Sequence, residues 1–501
     1  MSLQSKRLFR TTSVTLALSL VLPVWIATPA MAQPIGLPSL GSNASADLSP
    51  LTEQRLGELI MRQGRLDPTY VHDVEINQYL NQLGQKLARH AVGGTPSVEL
   101  FAVRDPAFNA FAMPGGYIGI NTGVIAISER ESELAGVVAH EISHVTQRHI
   151  ARGLTQRQQT SALMLASIAG ALLAALAGGA GLAAGVAAFG QAAAIDRQLG
   201  FSRDAESEAD RVGLQMMTKA GFDPTGLQSM FEKLMHASNL NMGQRGGNTY
   251  LSTHPLSMDR MTDMQNRTRN LSASSYQDSR DFAYVRARAL VAQATNREDI
   301  RRLQDRLADE ARRGSSSARS AANLALSELA SRQGDHNLAR AYLQKAREAG
   351  DSAYIARQDA WLQLVSGQPQ AAQQTARQAL SKWPNHVALA EVQARALSQM
   401  GQPAQAAKVL EGVLKRWPEE FPSLYQQRAN ALMQANEPIR GREVMAQYYV
   451  LTGAFPAAIA QLEQAREMTK DFREQSVLDV RIREVRQKMA QEREILERFG
   501  G

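Results

Sequence analysis

The chain has 501 residues, long enough for two or three domains, and at 44% apolar and 21% charged residues it has an ordinary globular composition. Formal net charge is +7, but Lys6, Arg7 and Arg10 supply three of those charges before the first acid, Asp47, and no long basic run follows, so nucleic acid is a poor partner. The absence of cysteine excludes both a disulfide framework and a lipidated N-terminal Cys.

Residues 1–32 read as a secretory signal. Three cations precede an apolar stretch from Val14 to Ile26, and Ala30-Met31-Ala32 offers small residues for cleavage, leaving Gln33 as the mature N-terminus. An uncleaved membrane anchor is the alternative, although the apolar run is short for a full span and contains Pro23. An exported chain without cysteine fits a bacterial periplasm, where disulfides are permitted but not required. Residues 33–48, rich in Pro, Gly, Ser and Asn, are expected to be a flexible lead-in.

Ile76, Leu80, Leu83 and Leu87 repeat at helical spacing. Val98–Val103 reads as a strand, Asn109–Gly116 as a Pro/Gly turn, and Tyr117–Ile120 as a second strand. That second strand is expected either to border a cleft, where an extended peptide adds to its edge, or to complete an ordinary hairpin. Ser128 and Glu131 form a possible capping box for the next helix, and Leu134, Val137, Val138, Ile142 and Val145 would bury it.

Inside this helix lies His140-Glu141-Ile142-Ser143-His144. Residues four apart differ by about 40° around a helix, so both imidazoles leave one face and together can hold one Zn²⁺. Glu141, beside the first of them, can take a proton from a water polarised by the metal. Residues 161–195 are almost wholly apolar and rich in Ala and Gly. A membrane-spanning helix, a buried or cleft-covering hairpin, and a membrane-touching element all remain open.

A third ligand is needed. Glu206 and Asp210 are four apart and share a helix face, whereas Glu208 points away from both. Helix phase leaves two choices: Glu206 with Asp210 behind it, fixing a histidine tautomer, or Glu208 alone. His149, nine residues from His140, should lie on the opposite side of a continuous helix and should not be a ligand. His72, His90, His236, His336 and His386 have no spacing argument and are expected to be structural or exposed.

After another helix from Pro224 to His236 and a Gly-rich loop, the chain reaches Thr253-His254-Pro255. Beyond Ser275 it becomes continuously helical, and from Arg313 it repeats. Gly334, Gly367 and Gly401 recur at the tetratricopeptide period, each followed by a helix with small Ala positions: Ala339, Ala371–Ala372 and Ala406–Ala407. Trp383-Pro384 and Trp417-Pro418 recur at the same period at the ends of helix pairs. Gly453 with Ala457-Ala458 reads as a further unit after an insertion. Stacked pairs of this kind curve into a concave binding surface.

The combination of H-E-x-x-H, E-x-x-x-D with Ala before the Asp, the Pro-Gly-Gly turn, and His254-Pro255 with Arg260 resembles the metallopeptidase family of the membrane-bound heat-shock protease HtpX and the CAAX prenyl proteases. The resemblance implies Glu206 as third zinc ligand with Asp210 beside it. It also places His254 and Arg260 at the active site, where they can contact the substrate carbonyl or the zinc. His254 either stabilises an oxyanion or fills the fourth zinc position and keeps the site latent.

With the export signal and repeats, the resemblance narrows to the periplasmic branch of that family. It implies an endopeptidase, and probable chaperone, with one Zn²⁺ per chain. It would act on unfolded or misassembled outer-membrane proteins and dock with the β-barrel assembly machinery, with peripheral membrane contact open. Any disulfide seen in relatives is absent here. The alternative is a non-proteolytic chaperone or adaptor with a shut zinc site. The expected architecture is mostly α: an α+β zincin-type domain over 49–275, a helical connector over 276–312, and an α-solenoid of tetratricopeptide repeats over 313–490.

Overall fold

The computed structural model describes residues 49–156, 201–241, 254–255, 257–269, 271 and 276–500. Residues 1–48, where the sequence suggests a secretory signal and a lead-in, the 161–195 stretch and the loop at 242–248 lie outside them. No helix among the described residues is long and apolar enough to cross a membrane.

Two helices, α1 (Pro50–Gly64) and α2 (Val74–Ala88), precede a small sheet of β1 (Glu99–Val103), β2 (Ala110–Ala112) and β3 (Tyr117–Asn121). The order is β1-β3-β2. β1 runs parallel to β3 and β2 antiparallel to it, with Leu100 opposite Ile118 and Phe111 opposite Gly119. The Asn109–Gly116 stretch is therefore strand as well as turn, because alternate residues of Ala110–Ala112 pair with β3 before Pro114 reverses the chain.

β3 is central, so the edge expected of it belongs to its neighbours. The outer edge of β1 is taken. Asn77 and Asn81 of α2 bond Ala102 N at 3.0 Å and Leu100 N at 2.9 Å, and Asn81 also donates to Leu100 O. The outer edge of β2 carries no strand among the described residues.

After α3 (Thr122–Ile127), α4 (Glu131–Thr146) is buried almost throughout, and Leu134, Val137, Val138 and Ile142 enter the core. Its start is not capped by Ser128 and Glu131. Ser128 Oγ donates back to Val124 O, and the Glu133 carboxylate instead accepts from Glu129 N at 2.7 Å. Glu131 is drawn away because it accepts from Tyr79, Tyr276 and both N and Oγ of Ser279, tying the helix start to the following segment.

A short α5 (His149–Gln156) follows, then α6 (Arg203–Lys219), α7 (Thr225–Asn241) and α8 (Met258–Arg269). Gly213 lets α6 approach α4 closely, since a Cβ there would sit 3.1 Å from the His140 amide nitrogen.

The remaining helices are α9 (Arg280–Gln293), α10 (Arg297–Arg313), then pairs α11 (Ser316–Arg332) with α12 (His336–Arg347), α13 (Ala353–Val365) with α14 (Pro369–Lys382), α15 (Val387–Gln399) with α16 (Pro403–Arg416), α17 (Pro422–Gln434) with α18 (Pro438–Leu451), and α19 (Phe455–Met468) with α20 (Phe472–Gly500). Gly334, Gly367 and Gly401 turn the first three pairs at φ of 82°, 74° and 73°. Ala339, Ala372 and Ala406 are fully buried where the helices meet. Trp383 and Trp417 end α14 and α16.

The apparent insertion before Gly453 is a complete pair. Asn436, at φ 60°, takes the place of the turn glycine, and Gly453 lies between pairs rather than within one.

One apolar core runs without interruption from Val71 through the sheet and α4 to Leu362 in the repeats. The array also curves back onto the first two helices. Gln78 donates to Asn385 O at 2.6 Å and accepts from Val387 N, Arg65 reaches Leu451 O, and Arg62 pairs with Glu492 of α20.

Between α2 and the repeats, Arg288 is shared by Asp73, Glu75 at 2.9 Å and Glu328 at 2.8 Å. One guanidinium cannot neutralise three buried acids. Burial, only partly offset by Arg288 and Arg357, pushes the Glu75 pKa up to about 7. A carboxyl raised on folding favours the folded state while protonated, so this contribution is complete below about pH 4.5 and lost by about pH 7. Glu75→Gln should thus stabilise the protein at pH 8 by on the order of 1–3 kcal/mol, with little effect at pH 4.5, as thermal melts at both pH values would show.

Candidate metal centre

The H-E-x-x-H spacing delivers both imidazoles to one face of α4, with His140 Nε2 and His144 Nε2 3.0 Å apart. α6 crosses behind them and brings Glu206, whose carboxylate lies 3.6 Å from His140 Nε2 and 3.5 Å from His144 Nε2. His254 closes the fourth side, its Nδ1 2.9 Å from Glu206 Oε1 and 3.4 Å from His140 Nε2. All four side chains are buried, and one donor atom from each lies within 4.8 Å of the others. Ligands about 2.05 Å from a tetrahedral ion stand roughly 3.3 Å apart, so the donors fit a Zn²⁺-sized cation.

Glu141 flanks this group. The Ala112 backbone lies beside its buried carboxylate, and His254 Nε2 is 3.7 Å away. Burial raises its pKa, while charge on His254 and His140 opposes that rise. A carboxylate buried next to a cluster of metal-type donors, with no side-chain hydrogen bond among the described residues, is placed to accept a proton rather than to hold the fold together.

Asp210 lies one turn below Glu206, with its Oδ1 3.0 Å from His140 Nδ1. Arg260 grips the same carboxylate with two bonds, Nε to Oδ2 at 2.7 Å and an Nη to Oδ1 at 2.8 Å, and reaches Glu206 at 2.7 Å. It also donates to Pro255 O at 2.9 Å. The guanidinium therefore faces the carboxylates of α6, not an open substrate position. Burial would lower the His140 pKa, but the hydrogen bonds it donates to Asp210 and Glu206 overcome that and raise it to about 10. Burial and the neighbouring His140 hold His144 well below its usual range. Burial would raise Glu206, but His254 and His140 keep it well below the usual carboxylate range.

The structure brings together all seven residues singled out from sequence: His140, Glu141, His144, Glu206, Asp210, His254 and Arg260. It also shows two that sequence reasoning missed, His149 and Phe201, and it sets Glu208, the alternative third ligand, against His149 instead of the donor cluster. α4 does not continue to His149. The helix breaks at Gln147, and Arg148 adopts φ 52°, a left-handed conformation costing a non-glycine residue roughly 1 kcal/mol. The turn brings His149 Nδ1 to 2.9 Å from His144 Nδ1. Glu208 lies 3.1 Å from His149 Nε2, and Phe201 stacks on the His144 ring with centroids 4.0 Å apart. No spacing rule predicts a helix break at Arg148, so His149 could not be found from helix phase.

A buried His-Glu-His constellation on crossing helices beside a small sheet, joined to a helical-repeat array, defines a metallopeptidase with a tetratricopeptide domain. Residues 75–268 match the model of peptidase family M48, and residues 364–429 match a tetratricopeptide repeat. The chain belongs to peptidase family M48. It is 30% identical over 462 residues to the β-barrel assembly-enhancing protease of Escherichia coli K12, covering 90% of this chain and 91% of that protein. The Yersinia pestis protein of the same name is 30% identical over 457 residues with the same shares. The mitochondrial metalloendopeptidase OMA1 of Arabidopsis thaliana is 32% identical over 162 residues, 32% of this chain and 29% of that one.

Asp210→Ala should lower metal affinity about 10- to 100-fold by freeing the His140 ring. Competition against a chromophoric chelator measures it.

Proposed function

We propose that the chain is an exported, periplasmic zinc endopeptidase acting on unfolded or misassembled outer-membrane β-barrel proteins. The observation that carries the catalytic part is the buried convergence of His140, His144 and Glu206 with Glu141 at its flank. Its role in β-barrel assembly rests on the name and near full-length match of the Escherichia coli relative. Periplasmic location rests on the signal-like residues 1–32, with cleavage after Ala32.

In this reading His140, His144 and Glu206 hold one Zn²⁺. Held there, the ion would supply Lewis acidity to a scissile carbonyl and to the attacking water. Glu141 accepts that water's proton and can pass it to the leaving amine. Its burial favours the proton-bearing form, which suits a base that must return what it takes. Asp210 orients His140, and Arg260 holds Asp210 and Glu206 in place. The outer edge of β2, which pairs with no strand among the described residues, can add an extended substrate strand. Ala112, at its end, has its backbone beside the Glu141 carboxylate.

His254 stands with His140, His144 and Glu206 as a fourth donor. We assign it to the fourth metal position, which leaves the resting site closed and requires His254 to leave before hydrolysis. The same observation favours a second reading, in which the closed protein works mainly as a chaperone or adaptor, with the repeats docking substrates or the assembly machinery.

Glu141→Gln should cut hydrolysis of an unfolded outer-membrane β-barrel about 10²- to 10⁴-fold while retaining zinc, measured by gel-based degradation and metal analysis. His254→Ala should raise the rate; a fall would assign His254 to oxyanion stabilisation instead. Equal support of barrel assembly by wild type and Glu141→Gln would favour the chaperone reading.

A further inference from the structure

The two candidate imidazole ligands are not held alike. His140 leans directly on a carboxylate of α6, Asp210. Among the described residues, no carboxylate meets the outer nitrogen of His144. Its Nδ1 faces Nδ1 of His149 at 2.9 Å, and His149 Nε2 lies 3.1 Å from Glu208 Oε2. Arg152 holds that same oxygen at 2.9 Å. His149 itself is buried, and its ring meets that of His144 nearly edge-on, at 74°.

This contact is built by the backbone. On a continuous helix, residues five apart are separated by about 140°, so His149 could not reach His144. The left-handed Arg148 between them turns the chain back, and Arg148 is tied to Glu53 of α1 at 3.2 Å. An unfavourable conformation at a non-glycine residue, with its own anchor, marks a placed side chain rather than an accident of packing. Phe201 covers the face of the His144 ring, leaving its in-plane direction to be set by the outer nitrogen.

We propose that His149 is a positioning residue for His144, anchored through Glu208, so that α6 sets both imidazoles: Asp210 fixes His140 directly, and Glu208 fixes His144 through one intervening ring. The inference rests on the reading that His140, His144 and Glu206 hold zinc.

The proton positions follow. With His144 Nε2 given to a metal, its Nδ1 carries the hydrogen and donates to His149 Nδ1. His149 must then carry its hydrogen on Nε2 and donates to Glu208. Both bonds point the same way, toward a carboxylate, and no other tautomer of neutral His149 satisfies both contacts. Reaching the metal ligand through a second imidazole explains why Glu208, though off the Glu206–Asp210 face, still acts on the site.

The test uses the full-length protein and two readouts besides hydrolysis: zinc affinity by chelator competition, and the visible absorption of the Co²⁺-substituted protein. His149→Phe keeps an aromatic ring of similar size and removes both nitrogens. It should weaken zinc about 10- to 100-fold and shift the cobalt bands. Glu208→Ala should act in the same direction, and the double variant should be no worse than His149→Phe alone, because the two act in series. If His149→Phe does not fold, Glu208→Gln, at a partly exposed position, gives the same readouts.

Wild-type zinc affinity and an unchanged cobalt spectrum in these variants would overturn the proposal, including when the melting temperature falls, since that is all a purely structural histidine would do. If the wild-type protein binds neither metal, the zinc reading itself fails and the relay with it. Metal binding by wild type with no effect of the variants removes the relay alone.

Discussion

Two carboxylates of α6 are driven into a dry helix interface against two imidazoles of α4, and the rest of the structure is arranged around the cost of doing so. A buried, unpaired carboxylate is expensive, and two of them one turn apart are worse. Arg260 offsets part of this by bridging both. Asp210 spends its remaining capacity on His140, and Glu206 turns to the histidine cluster. A divalent cation at the common centre would complete the balance, since it supplies the positive charge that Glu206, His140, His144 and His254 together face. The close crossing of α4 and α6 that makes this possible depends on Gly213, and it is packed from below by the same apolar core that holds the sheet.

The repeats are not an appendage to this unit. Their first helices continue its core, and the later pairs return to its first two helices through polar contacts. A helical array contacts only its neighbours along its length, so its shape is normally free to drift. Here Arg288, Gln78 and Arg65 pin it at separate points. The array is thereby held against α1 and α2.

Much of this was legible in the residues. Two histidines four apart on an apolar helix must share a face, and Gly334, Gly367 and Gly401 at a fixed spacing with Ala following must turn and pack alike. The strands around Phe101 and Ile118 followed from their β-branched and aromatic runs. Other features were hidden because they depend on what a neighbouring element offers. Ser128 and Glu131 fit a capping pattern, yet Glu131 found stronger donors in Tyr79, Tyr276 and Ser279. Asn436 hid a repeat turn because asparagine tolerates the left-handed region that glycine usually marks. For β3 the residues allowed a cleft-bordering edge or an ordinary hairpin, and only the pairing of β1 and β2 on either side placed it at the centre.

The chain's own order of residues determined the chemistry on offer: two imidazoles, a base beside them, paired carboxylates a helix later, and a period that stacks. These depend on local helix and turn geometry, which a few neighbouring residues set. Which groups converge was decided only in three dimensions. The break at Arg148, the arrival of His254 beside Glu206, the sharing of Arg288 among three acids and the return of the repeats to α1 all join residues far apart in the chain or turn on a backbone conformation that distant contacts hold. Such choices follow from burial and charge balance across the whole fold, and no local pattern encodes them.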